Sequence, residues 1–433
     1  MKKIYLVALS ALAFCGVMNA QNACNGGRYS SDVYTSGVTS AIVYGNNTNY
    51  LGTPTSLTLD VYQGTGDTAL ARPLIIWVHG GSFLGGASTD VDVSSLSQHF
   101  AKKGFVCASI NYRVGMSSID SSDAILAVIR GVQDLKAAIR FFYKDKKSGA
   151  NVYKIDTNNI FIGGSSAGAL TVMHSVYLKR PCQIQEYISN ANLAAMGGLD
   201  GLSGNQGYSQ KVKGVISLCG ALAKYDWMEA GDPPVCMMHG TADAVVTYNR
   251  GMVNPGIPLM YLDGSRVVYK QAQAIGVPNT FYSWYGAPHV PYAGTSVAQL
   301  AYMDTTVNFV RDYLIMTLGC TNAPLQPADA AVQNATLYTW NSPCNTGIES
   351  FSAVSELQQV FPNPSSSEVT LVFTNNNSTH LVQLFDLNGK VISSVKTSEA
   401  TFTLKKDGIA AGIYFLRVSN EHGQYSGQKL IFN

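Results

Sequence analysis

The chain has 433 residues, and 46% of them are hydrophobic, which is enough to bury one large core and a smaller second one. Its 29 Lys and Arg residues nearly balance its 27 Asp and Glu residues, so a broad basic surface for nucleic acid is not indicated. Charged residues make up 13% of the chain, well below the roughly 25% of an average soluble protein, so Tyr, Ser, Thr and Asn form much of the polar surface.

The first residues have the pattern of an export signal. Lys2 and Lys3 are followed by a mostly apolar stretch over residues 4–17 and then by the small residue Ala20. This order is typical of a secretory signal peptide, and we expect residues 1–20 to be removed. The apolar stretch is shorter than the roughly 20 residues that a spanning helix needs. We therefore predict an exported protein without a transmembrane anchor.

An apolar run over residues 72–79 predicts a buried strand that ends abruptly in Gly80, Gly81 and Ser82. A glycine-rich turn lets backbone N–H groups approach a substrate closely, which an oxyanion hole requires. We expect the amides of Gly81 and Ser82 to act as oxyanion donors, together with the amide of Ala167. The alternative is a Gly-Gly turn that only closes a buried strand.

Strand and helix patterns alternate through most of the chain. Residues 56–62, 104–112 and 212–219 are predicted strands, and residues 132–142 and 297–318 are predicted helices. On the first of these helices we expect Asp134 and Lys136 to face solvent, opposite an apolar stripe. The alternation predicts an α/β fold with a mainly parallel sheet, helices on both faces and functional side chains at the carboxyl ends of strands.

Residues 160–168 place a serine between glycines where an apolar strand meets a helix. Gly164, Ser166 and Gly168 fill the Gly-x-Ser-x-Gly pattern, in which a strained turn exposes the central hydroxyl. In a chain with 41 glycines this pattern alone also fits an ordinary turn. A strand-like run before it and a helix-like run over residues 169–178 favour the nucleophile elbow. Ser166 is therefore the predicted nucleophile.

An acid and a histidine follow in the order that such a serine requires. Asp243 comes shortly after the apolar run 233–240, and His289 follows the strand-like run 280–285. We expect His289 to accept the proton of Ser166, and Asp243 to hold the imidazole in the useful tautomer.

Other residues could fill these two roles. Alternative acids between the serine and the histidine are Asp226, Asp232 and Asp263, none of which follows a convincing core strand. Among the remaining histidines, we expect His79 and His239 to orient loops by hydrogen bonding. His174, on the helix after the serine, is expected to be a buried or interfacial residue with its hydrogen bonds satisfied.

These motifs resemble those of α/β-hydrolase carboxylesterases and lipases over residues 35–318. The resemblance rests on His79-Gly-Gly-Ser-Phe83, Gly164-Ser-Ser-Ala-Gly168, His239-Gly-Thr-Ala-Asp243 and Gly286-Ala-Pro-His289. It implies a serine carboxylic-ester hydrolase that works through an acyl-enzyme, with no metal or organic cofactor. Ser82 stands where many relatives have a third glycine, and its backbone N–H remains available. A peptidase of the same fold and a non-catalytic surface binding protein are the alternatives.

Two turn-rich insertions, residues 182–210 and 248–266, are expected to shape the substrate site. The first is either a cap over the site or a plain surface excursion. The sequence has neither a zinc-type Cys/His spacing nor an EF-hand loop. We expect Asp90 and Asp92 to lie in a solvated loop.

The chain has eight cysteines, of which Cys15 lies in the predicted signal peptide; the remaining seven are an odd number, so at least one is unpaired or bonded outside the chain. Cys320 and Cys344 are the best disulfide candidates, with Cys24 and Cys182 as possible partners. The other three are expected to be small buried hydrophobic residues in core strands: Cys107, Cys219 and Cys236.

From about residue 360 the chain has five short strand-like runs separated by turns such as Asn388-Gly389, which predicts a small all-β sandwich. This region resembles the C-terminal sorting domain of Bacteroidetes type IX secretion. The resemblance rests on Phe361-Pro-Asn-Pro364, Phe385-Asp-Leu-Asn-Gly-Lys390, Gly412-Ile-Tyr-Phe415 and Lys429-Leu-Ile-Phe432. It implies the type IX secretion machinery as a partner, and release outside the cell or attachment at its surface.

The predicted organisation has four parts. A signal peptide covers residues 1–20, an α/β-hydrolase catalytic domain covers 21–320, a linker covers 321–358 and the sorting domain covers 359–433.

Overall fold

The computed structural model describes residues 24–321, 335–338, 344, 357–374, 378–387, 389–420 and 425–433. Contacts divide the chain into two compact units after Cys344, a position inside the predicted linker. The predicted signal peptide lies outside the described residues. In the part of the chain that is described, no helix is both long and apolar enough to cross a membrane.

The first unit is built on eleven strands among the described residues. In chain order these are β1 (Ser36–Thr48), β2 (Pro54–Gly64), β3 (Arg72–Val78), β4 (Val106–Ile110), β5 (Ile155–Ser165), β6 (Gly214–Leu218), β7 (Ala221–Leu222), β8 (Val235–Gly240), β9 (Arg250–Met252), β10 (Tyr261–Gly264) and β11 (Asn279–Trp284). Eight of them form one sheet in the order β1-β2-β4-β3-β5-β6-β8-β11, and β7, β10 and β9 form a small separate sheet. Along this sheet order, the β1–β2 and β2–β4 pairs are antiparallel, and every pair from β4–β3 to β8–β11 is parallel.

Helices cover both faces of the large sheet. They are α1 (Val91–Lys102), α2 (Ser121–Lys147), α3 (Ala167–Tyr177), α4 (Asn190–Ala195), α5 (Ser265–Ile275) and α6 (Val297–Thr317). Alternate residues of β3 enter different cores: Ile76 packs in the cluster that contains α2 and α3, and Trp77 packs in the cluster that contains α1 and α6. This two-sided burial explains why β3 is apolar at consecutive positions. The predicted α/β-hydrolase fold is confirmed.

The prediction that Asp134 and Lys136 face solvent is wrong. Asp134 is fully buried and forms an ion pair with Arg113 at 2.8 Å. Lys136 is also buried, and its Nζ lies 2.9 Å from the carboxylate of Asp200. The insertion 182–210 causes this burial because it folds over α2 and accepts hydrogen bonds from that helix through its backbone carbonyls.

Two disulfides join distant parts of the first unit. Cys24 bonds to Cys320, and Cys182 bonds to Cys344. The four residues expected to form disulfides are therefore all bonded, but Cys320 and Cys344 do not pair with each other. The three core cysteines are free and buried, as predicted.

The second unit is all-β, as predicted. Its strands are β12 (Leu357–Phe361), β13 (Glu368–Phe373), β14 (His380–Phe385), β15 (Val391–Thr397), β16 (Thr401–Lys405), β17 (Gly412–Asn420) and β18 (Tyr425–Phe432). They form two antiparallel sheets, β12-β13-β16 and β15-β14-β17-β18. Alternate residues such as Leu371 of β13 and Leu384 of β14 form the core. The five predicted strands correspond to β13–β17, and the first and last strands were not predicted.

Candidate active site

Ser166 lies at a sharp turn between β5 and α3. Its backbone has φ 54° and ψ −118°, a conformation that a non-glycine residue adopts only under strain. The flanking glycines make the turn possible. A Cβ added at Gly164 would lie 2.2 Å from the carbonyl oxygen of Gly168, and one added at Gly168 would lie 1.9 Å from that of Val78. The geometry is that of a nucleophile elbow.

The structure brings Ser166, His289 and Asp243 together in one hydrogen-bonded chain. Ser166 Oγ lies 2.7 Å from His289 Nε2, and His289 Nδ1 lies 2.6 Å from Asp243 Oδ2. The other carboxylate oxygen, Oδ1, accepts the backbone N–H groups of Val245 and Val246, each at 2.9 Å. The loop after β8 therefore fixes the carboxylate while leaving one oxygen for the imidazole.

Two histidines set the charge of Asp243. Burial alone would raise the pKa of this carboxyl, but hydrogen bonds from His239 and His289 outweigh it and hold the pKa well below its usual range. The carboxylate is thus ionised at neutral pH, accepts from Nδ1 of His289 and leaves Nε2 to take a proton from a hydroxyl. His239 also contacts Ser265 Oγ and the carbonyl of Val246, in keeping with its predicted part in orienting a loop.

The alternative acids have other partners. Asp232 pairs with Lys179 at 2.7 Å, and Asp263 pairs with Arg250 at 2.9 Å. Asp226 lies in a short 3-10 helix, Tyr225–Trp227. Among the described residues, Asp243 is the only one whose carboxylate hydrogen-bonds to His289.

The predicted oxyanion donors surround the same serine. Gly81 and Ser82 both have positive φ, 98° and 56°, and line the cleft beside Ser166. Neither amide has an acceptor within the described part of the chain. Ala167 is the first residue of α3, so its N–H has no acceptor within the helix and lies at the positive end of the helix dipole.

Asp92 is a buried member of this site that the sequence analysis missed. It lies in the first turn of α1, with only 7% of its surface exposed, and Oδ2 accepts the N–H of Gly80 at 3.2 Å. The expectation of a solvated loop is wrong because α1 begins here, with Asp90 at its N-cap. Burial raises the pKa of Asp92. The sequence did carry a signal for this role, because Asp92 is an acidic residue in the first turn of a helix that follows a glycine-rich turn.

Other buried hydroxyls support the turn before Ser82. Tyr112 Oη donates to the carbonyls of His79 and Gly80 at 3.1 and 3.3 Å. Behind the serine, Tyr292 Oη donates to Ser165 Oγ at 2.7 Å. These contacts hold the turn before Ser82 and the residue that precedes Ser166.

Two cavities of different character meet at Ser166. One is narrow, with apolar walls that include Phe83, Met116 and Leu259. The other is a much wider cleft whose lining includes His289 and the polar residues Asp92 and Asn254. The insertion 248–266 contributes to both cavities, whereas residues 182–210 line neither of them.

One group of potential metal ligands lies beside the serine. The ligand atoms of Cys219, Asp243 and His289 are within 4.8 Å of one another. Burial raises the pKa of the Cys219 thiol to about 12, so it stays protonated. Both ring nitrogens of His289 already make hydrogen bonds. The group is therefore suited to proton transfer rather than to cation binding.

Two family models match separate parts of this chain. The BD-FAE family, of esterase- and lipase-type α/β-hydrolases, matches residues 59–200, a range that includes Ser166 and the oxyanion turn but ends before Asp243 and His289. The secretion system C-terminal sorting domain matches residues 359–433.

Similar curated proteins include carboxylesterase 3B of Mus musculus, 35% identical over 118 residues, or 27% of this chain and 19% of the relative. Lipase 2 of Geotrichum candidum is 29% identical over 126 residues, 28% of this chain and 22% of the relative. The chain thus spans about a fifth of the length of these relatives. A solved structure, Thermogutta terrifontis esterase 2 phosphorylated by paraoxon, has a TM-score of 0.49 and 20% identity over 68% of this chain and 99% of its own. Residues 59–200 are therefore similar to the BD-FAE family and to carboxylesterases and lipases, and residues 359–433 match the secretion system C-terminal sorting domain.

Proposed function

We propose that the protein is a secreted serine hydrolase that cleaves carboxylic esters through an acyl-enzyme. The observation that carries the proposal is the hydrogen-bonded chain from Ser166 through His289 to Asp243, with distances of 2.7 and 2.6 Å. The amides of Gly81, Ser82 and Ala167, which have no acceptor among the described residues, border the same serine and supply the electrostatic part of the reaction.

The reaction begins when Ser166 Oγ attacks the ester carbonyl carbon and His289 Nε2 takes the hydroxyl proton. The carbonyl oxygen becomes an anion and accepts hydrogen bonds from the three amides, each worth about a 10²–10³-fold rate gain. Collapse of this intermediate expels the alcohol, which takes the proton from His289. Water, deprotonated by His289, then attacks the acyl-enzyme; the second intermediate collapses and releases the acid, and Ser166 Oγ takes the proton back from His289.

The different linings of the two cavities favour binding of the acyl group in one and of the alcohol in the other. The narrow cavity lined by Phe83, Met116 and Leu259 suits an apolar acyl group. The wide cleft, with Asp92 and Asn254 in its lining, suits a polar alcohol and has room for one that is linked to a polymer.

We also propose the predicted division of the chain, with a signal peptide over residues 1–20, a catalytic domain over 21–320 and a linker over 321–358. The sorting domain, residues 359–433, would pass the protein to the type IX secretion machinery, which releases it or leaves it at the cell surface.

The test is hydrolysis of p-nitrophenyl esters of increasing acyl length by the secreted form. Wild type should hydrolyse at least the shorter esters, and Ser166→Ala should lower the turnover about 10⁴-fold or more. Ser175→Ala, the same substitution further along α3, is the matched control and should keep full activity. A folded wild type that cleaves no ester, or a Ser166→Ala variant that is as active as wild type, would refute the esterase.

Matched p-nitroanilides separate an esterase from a peptidase of the same fold. We expect no amide hydrolysis. Cleavage of an anilide at a rate comparable with that of the ester would favour the peptidase.

A further inference from the structure

A short piece of the proposed linker is fastened to the first unit. Residues 335–338 and Cys344 lie within that linker, yet their contacts place them in the first compact unit. Ala335 is buried, and Cys344 is joined to Cys182 by a disulfide. Tyr338 lies between these two attachments in the sequence. A flexible spacer needs no such contacts, so this segment serves the first unit itself.

The hydroxyl of Tyr338 completes the hydrogen bonding of a buried carboxylate. Asp263 of β10 is fully buried, and its Oδ1 accepts from Nη1 of Arg250 at 2.9 Å. Its Oδ2 accepts the N–H of Tyr225 at 2.8 Å and the hydroxyl of Tyr338 at 2.6 Å. Burial and the hydrogen bond to Asp263 raise the pKa of Tyr338, so the hydroxyl keeps its proton and donates. A buried carboxylate is stable only when donors surround it, so Asp263 depends partly on Tyr338.

The ring and the backbone of Tyr338 are held as well. The guanidinium carbon of Arg250 lies 4.1 Å from the centre of the Tyr338 ring, and Nη1 of this arginine donates to the hydroxyl. Tyr225 donates its own hydroxyl to the backbone carbonyl of Tyr338, and the two rings meet edge to face with centroids 5.0 Å apart. Tyr338 therefore contacts Arg250 of β9 and Asp263 of β10 at the same time.

These two strands form a hairpin whose opposite face is a wall of the apolar cavity at Ser166. Arg250 and Asp263 are directly opposite each other in the antiparallel β9–β10 pair, so they share one face. Leu262, the neighbour of Asp263, faces the other way and lines the apolar cavity. Tyr338 thus lies behind the wall that an acyl group would touch. The loop between the two strands supplies four more lining residues: Val253, Pro255, Leu259 and Met260.

Given the proposed esterase function, we propose that Tyr338 is a positioning residue that sets the acyl selectivity of the site, by holding the β9–β10 hairpin as a fixed wall of the apolar cavity. The hairpin carries neither the nucleophile nor its two partners, so a displaced wall weakens contacts to the acyl group and leaves the reacting atoms in place. Its loop has a second support, because Ser121 Oγ donates to the carbonyl of Leu259 at 2.5 Å. Loss of Tyr338 should therefore loosen the wall without unfolding the unit.

The first test compares p-nitrophenyl butyrate with p-nitrophenyl acetate, using the full secreted chain. Each methylene buried against apolar walls improves binding about fourfold, so wild type should favour butyrate by about tenfold in kcat/KM. Tyr338→Ala should lower this ratio at least about fivefold, through a higher KM for butyrate with kcat within about twofold of wild type. A smaller amount of folded enzyme would reduce hydrolysis of both esters equally and leave the ratio unchanged.

Two tyrosine-to-phenylalanine variants make the comparison specific. Tyr338→Phe keeps the ring under Arg250 and loses the hydroxyl, so its ratio should lie between those of wild type and Tyr338→Ala. It also carries the test if Tyr338→Ala does not fold. Tyr282→Phe is the matched control, because Tyr282 lies on β11 and lines neither cavity at Ser166. It should keep the wild-type ratio.

Hydrogen exchange followed by mass spectrometry gives a second readout that needs no substrate. In Tyr338→Ala the amides of residues 250–264 should exchange at least about tenfold faster than in wild type, because the hairpin opens locally more often. The amides of β3 should exchange at the wild-type rate. Faster exchange throughout the unit would indicate general destabilisation and overturn the proposal.

Three other results would also overturn it. They are unchanged exchange in residues 250–264, an unchanged ester ratio in folded Tyr338→Ala, and a wild type that hydrolyses both esters without favouring butyrate. A wild type that cleaves neither ester would refute the proposed function and the selectivity that rests on it. Faster exchange in Tyr338→Ala would then still show that Tyr338 holds the hairpin, so the two failures are distinguishable.

Discussion

Asp243 is the residue on which the tautomer of His289 depends. Its carboxylate accepts from His289 Nδ1, and its pKa lies well below the usual range. In Asp243→Asn the amide can present an N–H to the ring and favour the tautomer whose Nε2 carries the proton. We expect kcat to fall by about 10⁴ while the fold is kept, measured on the best p-nitrophenyl ester.

A matched control for that change is Asp232→Asn. Asp232 also lies between the serine and the histidine in sequence, but it pairs with Lys179. We expect its kcat to stay within about twofold of wild type, because the carboxylate hydrogen-bonded to His289 among the described residues is that of Asp243, not of Asp232. Equal losses of kcat in the two variants would show that Asp243 has no special role in catalysis.

His174 predicts a dependence of stability on pH. Its Nδ1 donates to the carbonyl of Leu170, and its Nε2 accepts the N–H of Ala223, so the fold requires the neutral ring. Burial lowers its pKa from 6.5 to about 4. Between these values the unfolded chain binds more protons than the folded one, so stability falls as the pH is lowered from 6.5 towards 4.

Urea unfolding at pH 7 and pH 5 measures this effect. Wild type should lose about 2 kcal/mol of unfolding free energy from this histidine between the two values. His174→Gln keeps a polar side chain that does not titrate, so the loss should be smaller by that amount. If the variant lost as much as wild type, the acid sensitivity would have to come from other groups.

At the scale of elements, α3 is pressed against the end of β3. The added-Cβ distance of 1.9 Å at Gly168 means that the helix cannot approach β3 with any side chain at that position. Gly168→Ala must therefore displace α3 or the turn at Ser166. We expect a loss of about 1–3 kcal/mol in unfolding free energy. We also expect a fall of about 100-fold in kcat/KM, because small displacements of a nucleophile are costly.

Gly85→Ala is the matched control for this packing. Gly85 lies in the loop beside the oxyanion turn, its φ is not positive, and an added Cβ there would meet no atom within 4 Å. Stability and kcat/KM should therefore remain close to wild type. Full activity in Gly168→Ala would contradict the packing argument.

The elements that the sequence predicted best are those with a strong local pattern. The strand before Gly80 is buried on both faces and reads as a continuous apolar run, and the elbow at Ser166 has its own glycine pattern. Local patterns also located Asp243 and His289, because each follows an apolar strand. The tight distances between these three side chains depend on the order of strands in the sheet, which the sequence pattern alone does not give.

What the sequence could not predict depends on contacts between distant segments. Asp134 and Lys136 are polar residues on a helix; Asp134 is buried against Arg113 and Ser203, and Lys136 pairs with Asp200 of the insertion 182–210. Asp92 is buried because α1 begins beside the oxyanion turn. In each case a charged side chain meets a partner from another element or loop, 12 to 64 positions away, and hydrophobic periodicity carries no signal for such pairs.

On the scale of the whole molecule, we expect the two disulfides to contribute to the free energy of unfolding. Cys24 and Cys320 are separated by 296 positions, and Cys182 and Cys344 by 162. Each bond restricts the unfolded chain by closing a long loop, so replacing either pair with serines should cost about 2–4 kcal/mol of unfolding free energy. The entropic cost of closing the two loops differs by only about 0.5 kcal/mol, so the loss of either cysteine pair should lower the stability by a similar amount.

Urea unfolding with and without a thiol reductant separates this effect from altered packing. Reductant should lower the stability of wild type, should lower that of each double-serine variant less, and should leave the variant without either pair unchanged. The three core cysteines are buried and free, so they give the reductant nothing to cleave. A wild type that is insensitive to reductant under unfolding conditions would mean that the bonds do not form, and peptide masses from non-reducing digestion would then show which cysteines carry free thiols.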